Sequence, residues 1–126
     1  MDDFVIINGV LIRYDGNDQD IVIPDSVQRI GDRVFECDEN ITSVTIPNSV
    51  TIIGADAFHQ CSSLTSITIP DSVISIGKFA FSECTSLKSA VLSKGLTRIT
   101  KGMFTMCTAL TSVTIPDSVK SIELWA

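Results

Sequence analysis

The residues of this chain best suited to chemistry are its four cysteines. Cys61, Cys84 and Cys107 recur at intervals of 23. The fourth, Cys37, sits one place early, and Asp38 holds the position that the interval assigns to a thiol. Neighbouring coils of a stacked repeat lie about 4.8 Å apart, and disulfides need Cα atoms about 4.4–6.8 Å apart. Distance therefore allows pairing, but side chains in a column point the same way rather than at each other. Three thiols in a line also fail the tetrahedral demand of zinc. The spacing predicts a buried column of small, inert thiols, which burial protects from oxidation even outside the cell.

His59 is the single histidine. The sequence gives it neither a second histidine nor a serine or cysteine partner, so nucleophilic catalysis lacks a base, and a surface position is expected. The carboxylates Asp32, Glu36, Asp38 and Glu39 cluster, but a calcium loop needs closer oxygen spacing and a glycine at its turn. They read as a solvated edge, with weak cation binding as the alternative. No triad, metal cage or phosphate loop stands out. The expectation is a chain without enzymatic activity, cofactor or metal site.

A second candidate is a ladder of hydroxyls. Ser43 and Thr45, Ser66 and Thr68, Ser89 and Val91, Ser112 and Thr114 occupy equivalent places, flanked by Thr42, Thr65, Lys88 and Thr111. Small β-formers suit a parallel sheet for structural reasons alone. Hydroxyls that donate and accept also make a shallow polar ligand surface. On the second reading a protein or glycan lies across Ser43, Thr45, Ser66, Thr68, Ser89, Ser112 and Thr114, with Lys88 as its cationic contact.

These columns exist only if the chain is a repeat. Pro24, Pro47 and Pro70 are spaced by 23, and Pro116 follows two periods on, with Ser93 at the skipped place. Phe35, Phe58, Phe81 and Phe104 keep the same interval. Ile-Pro-Asp-Ser-Val occurs at 23–27, 69–73 and 115–119, and Ile-Pro-Asn-Ser-Val at 46–50. Four full units and a partial fifth result. The pattern Leu64-x-x-Ile67-x-Ile69 has the alternation of a half-buried strand, and proline then stops it. Asp or Asn before Ser suits the turn that follows. Gly31, Gly54 and Gly77 mark a second corner, where glycine is free to take positive φ. Ala-Phe-x-x-Cys fits a short helical turn with phenylalanine plugging the interior. No coil can bury its own apolar face, so the coils stack.

The first twenty residues differ. Phe4–Tyr14 is two β-rich runs around Asn8-Gly9, the signal of a type I′ hairpin. Residues 1–20 read as a cap and 21–126 as the solenoid. Near the C-terminus Glu123 replaces the usual glycine, and Trp125 is a candidate cover for the last coil.

Composition agrees with a packed domain: 126 residues, 44% hydrophobic and 19% charged. Formal charge is −6, which disfavours nucleic acid as a partner. It is uneven. Residues 1–77 hold three basic and twelve acidic side chains, net −9; residues 78–126 hold six basic and three acidic, net +3. Such asymmetry favours weak head-to-tail self-association, or is only drift in a solvated surface. Lys78, Lys94, Arg98 and Lys101 belong to the basic part and are expected off the concave face. No run of about 18 apolar residues could span a membrane, and Met1-Asp2-Asp3 does not begin a signal peptide. The chain is cytosolic, or it starts after a removed signal.

The motifs resemble the BspA-type leucine-rich-repeat family, whose unit reads roughly Leu-x-x-Ile-x-Ile-Pro-x-x-Val-x-x-Ile-Gly-x-x-Ala-Phe-x-x-Cys-x-x. The resemblance covers residues 21–122, and Gly9-Val-Leu-x-x-Tyr14-x-Gly16 is similar to the segment that often precedes such arrays. It implies an α/β repeat solenoid: a right-handed leucine-rich-repeat coil with a parallel concave β-sheet, short helical turns and an N-terminal β-hairpin cap. It also implies a cell-surface or secreted protein of host-associated microbes. Some members are adhesins for host matrix proteins. The expected function is a non-enzymatic binding or adhesion module, with a structural spacer or an intracellular interaction scaffold as the alternative. The fourth unit departs from the pattern, with Leu92-Ser-Lys-Gly-Leu96 for the proline motif and Thr100 for glycine.

Overall fold

The computed structural model describes residues 3–126; Met1 and Asp2, at the start of the expected cap, lie outside the described residues. The chain opens with a hairpin of β1 (Phe4–Ile7) and β2 (Val10–Tyr14). Asn8 and Gly9 between them have φ of 51° and 77°, as a type I′ turn requires. Each coil then contributes one three-residue and one two-residue strand. The longer strands are β3 (Asp20–Val22), β5 (Ser43–Thr45), β7 (Ser66–Thr68), β9 (Ser89–Val91) and β11 (Ser112–Thr114). The shorter are β4 (Arg29–Ile30), β6 (Ile52–Ile53), β8 (Ser75–Ile76), β10 (Arg98–Ile99) and β12 (Ser121–Ile122).

The longer strands pair in parallel as β3–β5 and β7–β9–β11, each residue opposite its equivalent 23 positions away. They lie on the alternating residues that precede each proline position, where the pattern places strands. The shorter strands were not anticipated. They build a second parallel face, β2–β4–β6–β8 and β10–β12. The hairpin joins this second face: Leu11 pairs with Ile30 and so heads the column Ile30, Ile53, Ile76. Two residues per coil were too short a run to register as a strand.

Between the two faces lies a continuous core. Ile21, Val44, Ile67 and Ala90 point into it from the longer strands, and Leu11, Ile30, Ile53, Ile76 and Ile99 from the shorter. Phe35, Phe58, Phe81 and Phe104 stack in register, with centroids 5.1, 5.2 and 5.9 Å apart. Tyr14 sits on Phe35 at 5.6 Å and Phe4 on Tyr14 at 4.9 Å. The hairpin thus extends the aromatic column to the N-terminal end and keeps Phe35 from water.

Two expectations fail. The Ala-Phe segments are not helical turns; the described residues contain no helix. Each segment instead holds two residues at positive φ, Arg33 and Cys37, Asp56 and Gln60, Phe79 and Glu83, Gly102 and Met106. A left-handed residue every few positions breaks the i to i−4 ladder of an α-helix. The freed N–H groups donate to the next coil: Phe35 to Ala57, Phe58 to Ala80, Phe81 to Met103, at 2.8–3.0 Å. Stacking replaces the helix as the source of backbone partners.

The second failure concerns Gly31, Gly54 and Gly77, which do not adopt positive φ. Their role is steric. A Cβ on Gly77 would lie 2.4 Å from the Ala55 nitrogen, and one on Gly31 2.7 Å from the Leu11 carbonyl oxygen. Glycine lets adjacent coils touch through their backbones, while the left-handed conformation falls two residues later.

Candidate functional site

The hydroxyl ladder is built by the longer strands. Alternation sends Val44, Ile67, Ala90 and Val113 toward the core and their neighbours outward. Register then aligns Asp20, Ser43, Ser66, Ser89 and Ser112 in one column, and Val22, Thr45, Thr68, Val91 and Thr114 in the next. Of the expected contacts, Ser43, Thr45, Ser66, Thr68, Lys88, Ser112 and Thr114 are exposed and Ser89 is half-buried. The structure brings them onto one face.

Hydrogen bonding divides these hydroxyls into two sets. Thr42, Thr65 and Thr111 donate to the carbonyls of Gln19, Thr42 and Lys88 on the preceding coil, at 3.3–3.4 Å. They stitch coils together. Ser43 donates to the Asp20 carboxylate at 2.7 Å. Thr45, Ser66, Thr68, Ser89, Ser112 and Thr114 have no side-chain partner among the described residues, so their donors and acceptors face outward unspent. A shallow crevice of about 300 Å³ opens where β5 and β7 meet, bounded by Thr45, Ile46, Ser66, Thr68 and Pro70. A larger one of about 470 Å³ lies at the strand ends between Pro70 and Pro116, with Thr68, Val91, Lys94 and Thr114 on its walls. Ser93 and Lys94 stand there in place of the proline motif. Lys94 therefore borders the ladder rather than lying away from it. Arg98 lies on the second face, 3.5 Å from Glu123.

Cys61, Cys84 and Cys107 form the column that the spacing predicts, the first two buried and Cys107 half-buried. All four cysteines are free. Cys61, Cys84 and Cys107 donate to the carbonyls of Phe35, Phe58 and Phe81 at 3.2, 3.2 and 3.0 Å. Each ties one coil to the one before. Burial pushes the Cys61 thiol up to about 12; the adjacent Cys107 sulfur and burial push Cys84 up as well. At these two thiols thiolate, the reactive form, is suppressed, whereas the Cys84 sulfur holds Cys107 below its ordinary value. Cys37 is exposed and bonds to Gln60 Oε1 at 2.9 Å.

His59 departs from expectation. It is half-buried, its Nδ1 meets the Ser82 hydroxyl, and its Nε2 lies 3.4 Å from Glu83 Oε2. Serine, histidine and glutamate thus come together from two coils, 23 residues apart. Sequence inspection overlooked this, because the interval of 23 was applied to the cysteines and hydroxyls but not to His59. Ser82 is 1% exposed, so no substrate carbonyl can reach its oxygen. The group is a polar link between coils. The carboxylates of the first unit do not gather: Asp32 accepts the Ala55 N–H and Asp38 the Asn40 N–H. No group of three or more metal-binding side chains occurs among the described residues.

A family model for the BspA type leucine-rich repeat region matches residues 12–126 in six copies. The chain belongs to this family. The chain is also similar to solved structures of leucine-rich repeat proteins. A leucine-rich cell surface protein from Faecalibacterium prausnitzii shares 34% identity with a TM-score of 0.67, over 96% of this chain and 42% of that one. A leucine-rich repeat protein from Eubacterium ventriosum shares 27% with a TM-score of 0.71, over 90% and 37%. One from Bacteroides ovatus shares 25% with a TM-score of 0.65, over 99% and 41%. The chain spans about two-fifths of the length of these three proteins. A search of curated proteins gives no match.

Proposed function

We propose that this BspA-type solenoid is a non-enzymatic binding module of a cell-surface or secreted protein, with residues 1–20 as its cap and 21–126 as its binding coil. A protein or glycan lies across Ser43, Thr45, Ser66, Thr68, Ser89, Ser112 and Thr114, with Lys88 as the cationic contact, on the concave side of a right-handed coil. The observation that carries this is the set of outward hydroxyls left without partners while the flanking threonines are spent on the scaffold. Ligands need unspent donors and acceptors in register, and a repeat supplies them at the coil spacing. The relative from Faecalibacterium prausnitzii is named a cell surface protein, which supports display outside the cell. Few Trp, Tyr or Arg anchors project from this face, so one array binds weakly, and a longer array gains by multivalency.

The test is a binding screen against matrix proteins and glycans, repeated with Ser66→Arg/Thr68→Arg. Both sites are exposed, so the coil stays folded. Loss of binding supports the ladder as the site. Unchanged binding moves the site to another surface. A spacer role, in which the coils only hold other segments apart, is supported if no ligand is retained by the unmodified chain.

A further inference from the structure

The outward rows of β3 and β9 break the hydroxyl pattern in opposite senses. Along β3 and the turn after it the exposed side chains are Asp20, Val22 and Asp25. Along β9 the equivalent stretch shows Ser89, Val91 and Lys94, with Lys88 exposed one place before it. Val22 is 65% exposed and Val91 42% exposed. None of the four charged groups is in an ion pair among the described residues; the Asp20 carboxylate accepts only the Ser43 and Thr42 hydroxyls. One coil therefore carries two acids about its valine, and the coil three further along carries two bases about its valine, Lys94 in the column of Asp25 and Lys88 one place before the column of Asp20. Between them β5 and β7 present only Ser43, Thr45, Ser66 and Thr68, which are small enough to let two sheets approach.

We propose that this face is an interface for a second copy of the same chain, packed about a two-fold axis parallel to the strands. Such an axis reverses the order of the coils and preserves strand direction, so every contact occurs twice. Val22 meets the partner's Val91. Asp25 meets the partner's Lys94, and Asp20 lies opposite the partner's Ser89 with the partner's Lys88 one residue away. In the middle, Thr45 faces the partner's Thr68, and Asn48 the partner's Asp71. No like charges are opposed across these four coils. The alternative head-to-tail arrangement would have to use a first coil already covered by the hairpin. Strand rise and coil spacing give a face of roughly 400 Å² per copy, against roughly 800 Å² per partner in a stable complex. The dimer is therefore weak, transient and salt-sensitive. It covers the hydroxyl ladder, so ligand binding and self-association compete, but the inference does not rest on the ladder having a ligand.

The experiment is sedimentation equilibrium of the whole chain from micromolar to millimolar concentration. Raising salt from about 0.05 to about 0.5 M, which shortens the Debye length, should weaken association severalfold. Lys88→Glu/Lys94→Glu and Asp20→Lys/Asp25→Lys should each associate at least tenfold more weakly than the unmodified chain. An equimolar mixture of the two variants should recover association, because acid and base then face each other at both ends of the mixed dimer. The milder pair Lys94→Glu and Asp25→Lys repeats the test without touching the Asp20 hydrogen bonds. A monomeric unmodified chain at all concentrations, or a mixture no more associated than its components, overturns the proposal. Failure of the mixture to recover leaves the ligand screen unaffected, so the two readings fail separately.

Discussion

At the residue scale the thiol column shows how stacking converts a reactive group into scaffold. Each sulfur of Cys61, Cys84 and Cys107 sits against a phenylalanine carbonyl of the preceding coil. The protonated thiol can donate there, and a thiolate would meet a carbonyl oxygen in an apolar setting. For Cys61 burial raises the pKa from its ordinary value of 9.0 to about 12. Below about pH 9 the thiol is neutral in both folded and unfolded chains, and stability is fully present. Above it the unfolded chain loses the proton and the folded chain keeps it, so stability falls as pH rises from about 9 toward 12. The slope per thiol is at most about 1.4 kcal/mol per pH unit. Urea midpoints measured at rising alkaline pH should show this decline, and Cys61→Ala should flatten it. A midpoint independent of pH in that range would remove Cys61 from the list of buried neutral thiols.

At the element scale the irregular segments carry the most specific geometry. Positive φ recurs at residues 33, 56, 79, 102 and 125, where the occupants are Arg, Asp, Phe, Gly and Trp. A non-glycine residue there costs roughly 1–2 kcal/mol, and neighbouring coils must hold it in place. Arg33 is exposed and its side chain has no partner among the described residues. Arg33→Gly should therefore leave stability unchanged or raise it by up to about 1 kcal/mol, as relief of backbone strain offsets the entropy of glycine. Arg33→Val should lower stability by a similar amount. Chemical denaturation of the two variants checks both signs. If valine is tolerated as well as glycine, the left-handed conformation is not enforced. Gly102 is different, because Phe79 covers it: a Cβ there would lie 2.3 Å from the ring.

At the scale of the whole molecule stability is a sum over coil interfaces, so the same chemistry counts differently along the stack. Phe81 has a stacked ring on either side and is 0% exposed. Phe81→Ala should cost roughly 3–5 kcal/mol, a large part of a typical domain's total stability. Ile122 belongs to the other interior column, after Ile76 and Ile99, and on the last coil is 63% exposed. Ile122→Ala should cost only a few tenths of a kcal/mol, in line with the little area it withdraws from water. Denaturant unfolding of the two variants measures the gradient, and equal costs would contradict it. Trp125 does not close this end. It is 65% exposed, with the Lys101 ammonium 5.2 Å from its ring.

The sequence by itself determined the period, the family, the five longer strands, the hairpin turn and the interior columns of phenylalanine and cysteine. Each of these follows from identity at a fixed interval or from alternation within a strand, both of which survive in one dimension. The tertiary structure decided what depends on contact between coils. It turned the Ala-Phe segments from helix to left-handed turns, because their N–H groups find carbonyls on the next coil. It assigned Gly31, Gly54 and Gly77 to close approach rather than to positive φ. It built a second face from pairs of residues too short to show alternation, and it put Ser82 and Glu83 beside His59. It also separated hydroxyls spent on the scaffold from hydroxyls facing solvent, since a threonine at either kind of position reads alike until the carbonyl beside it is known.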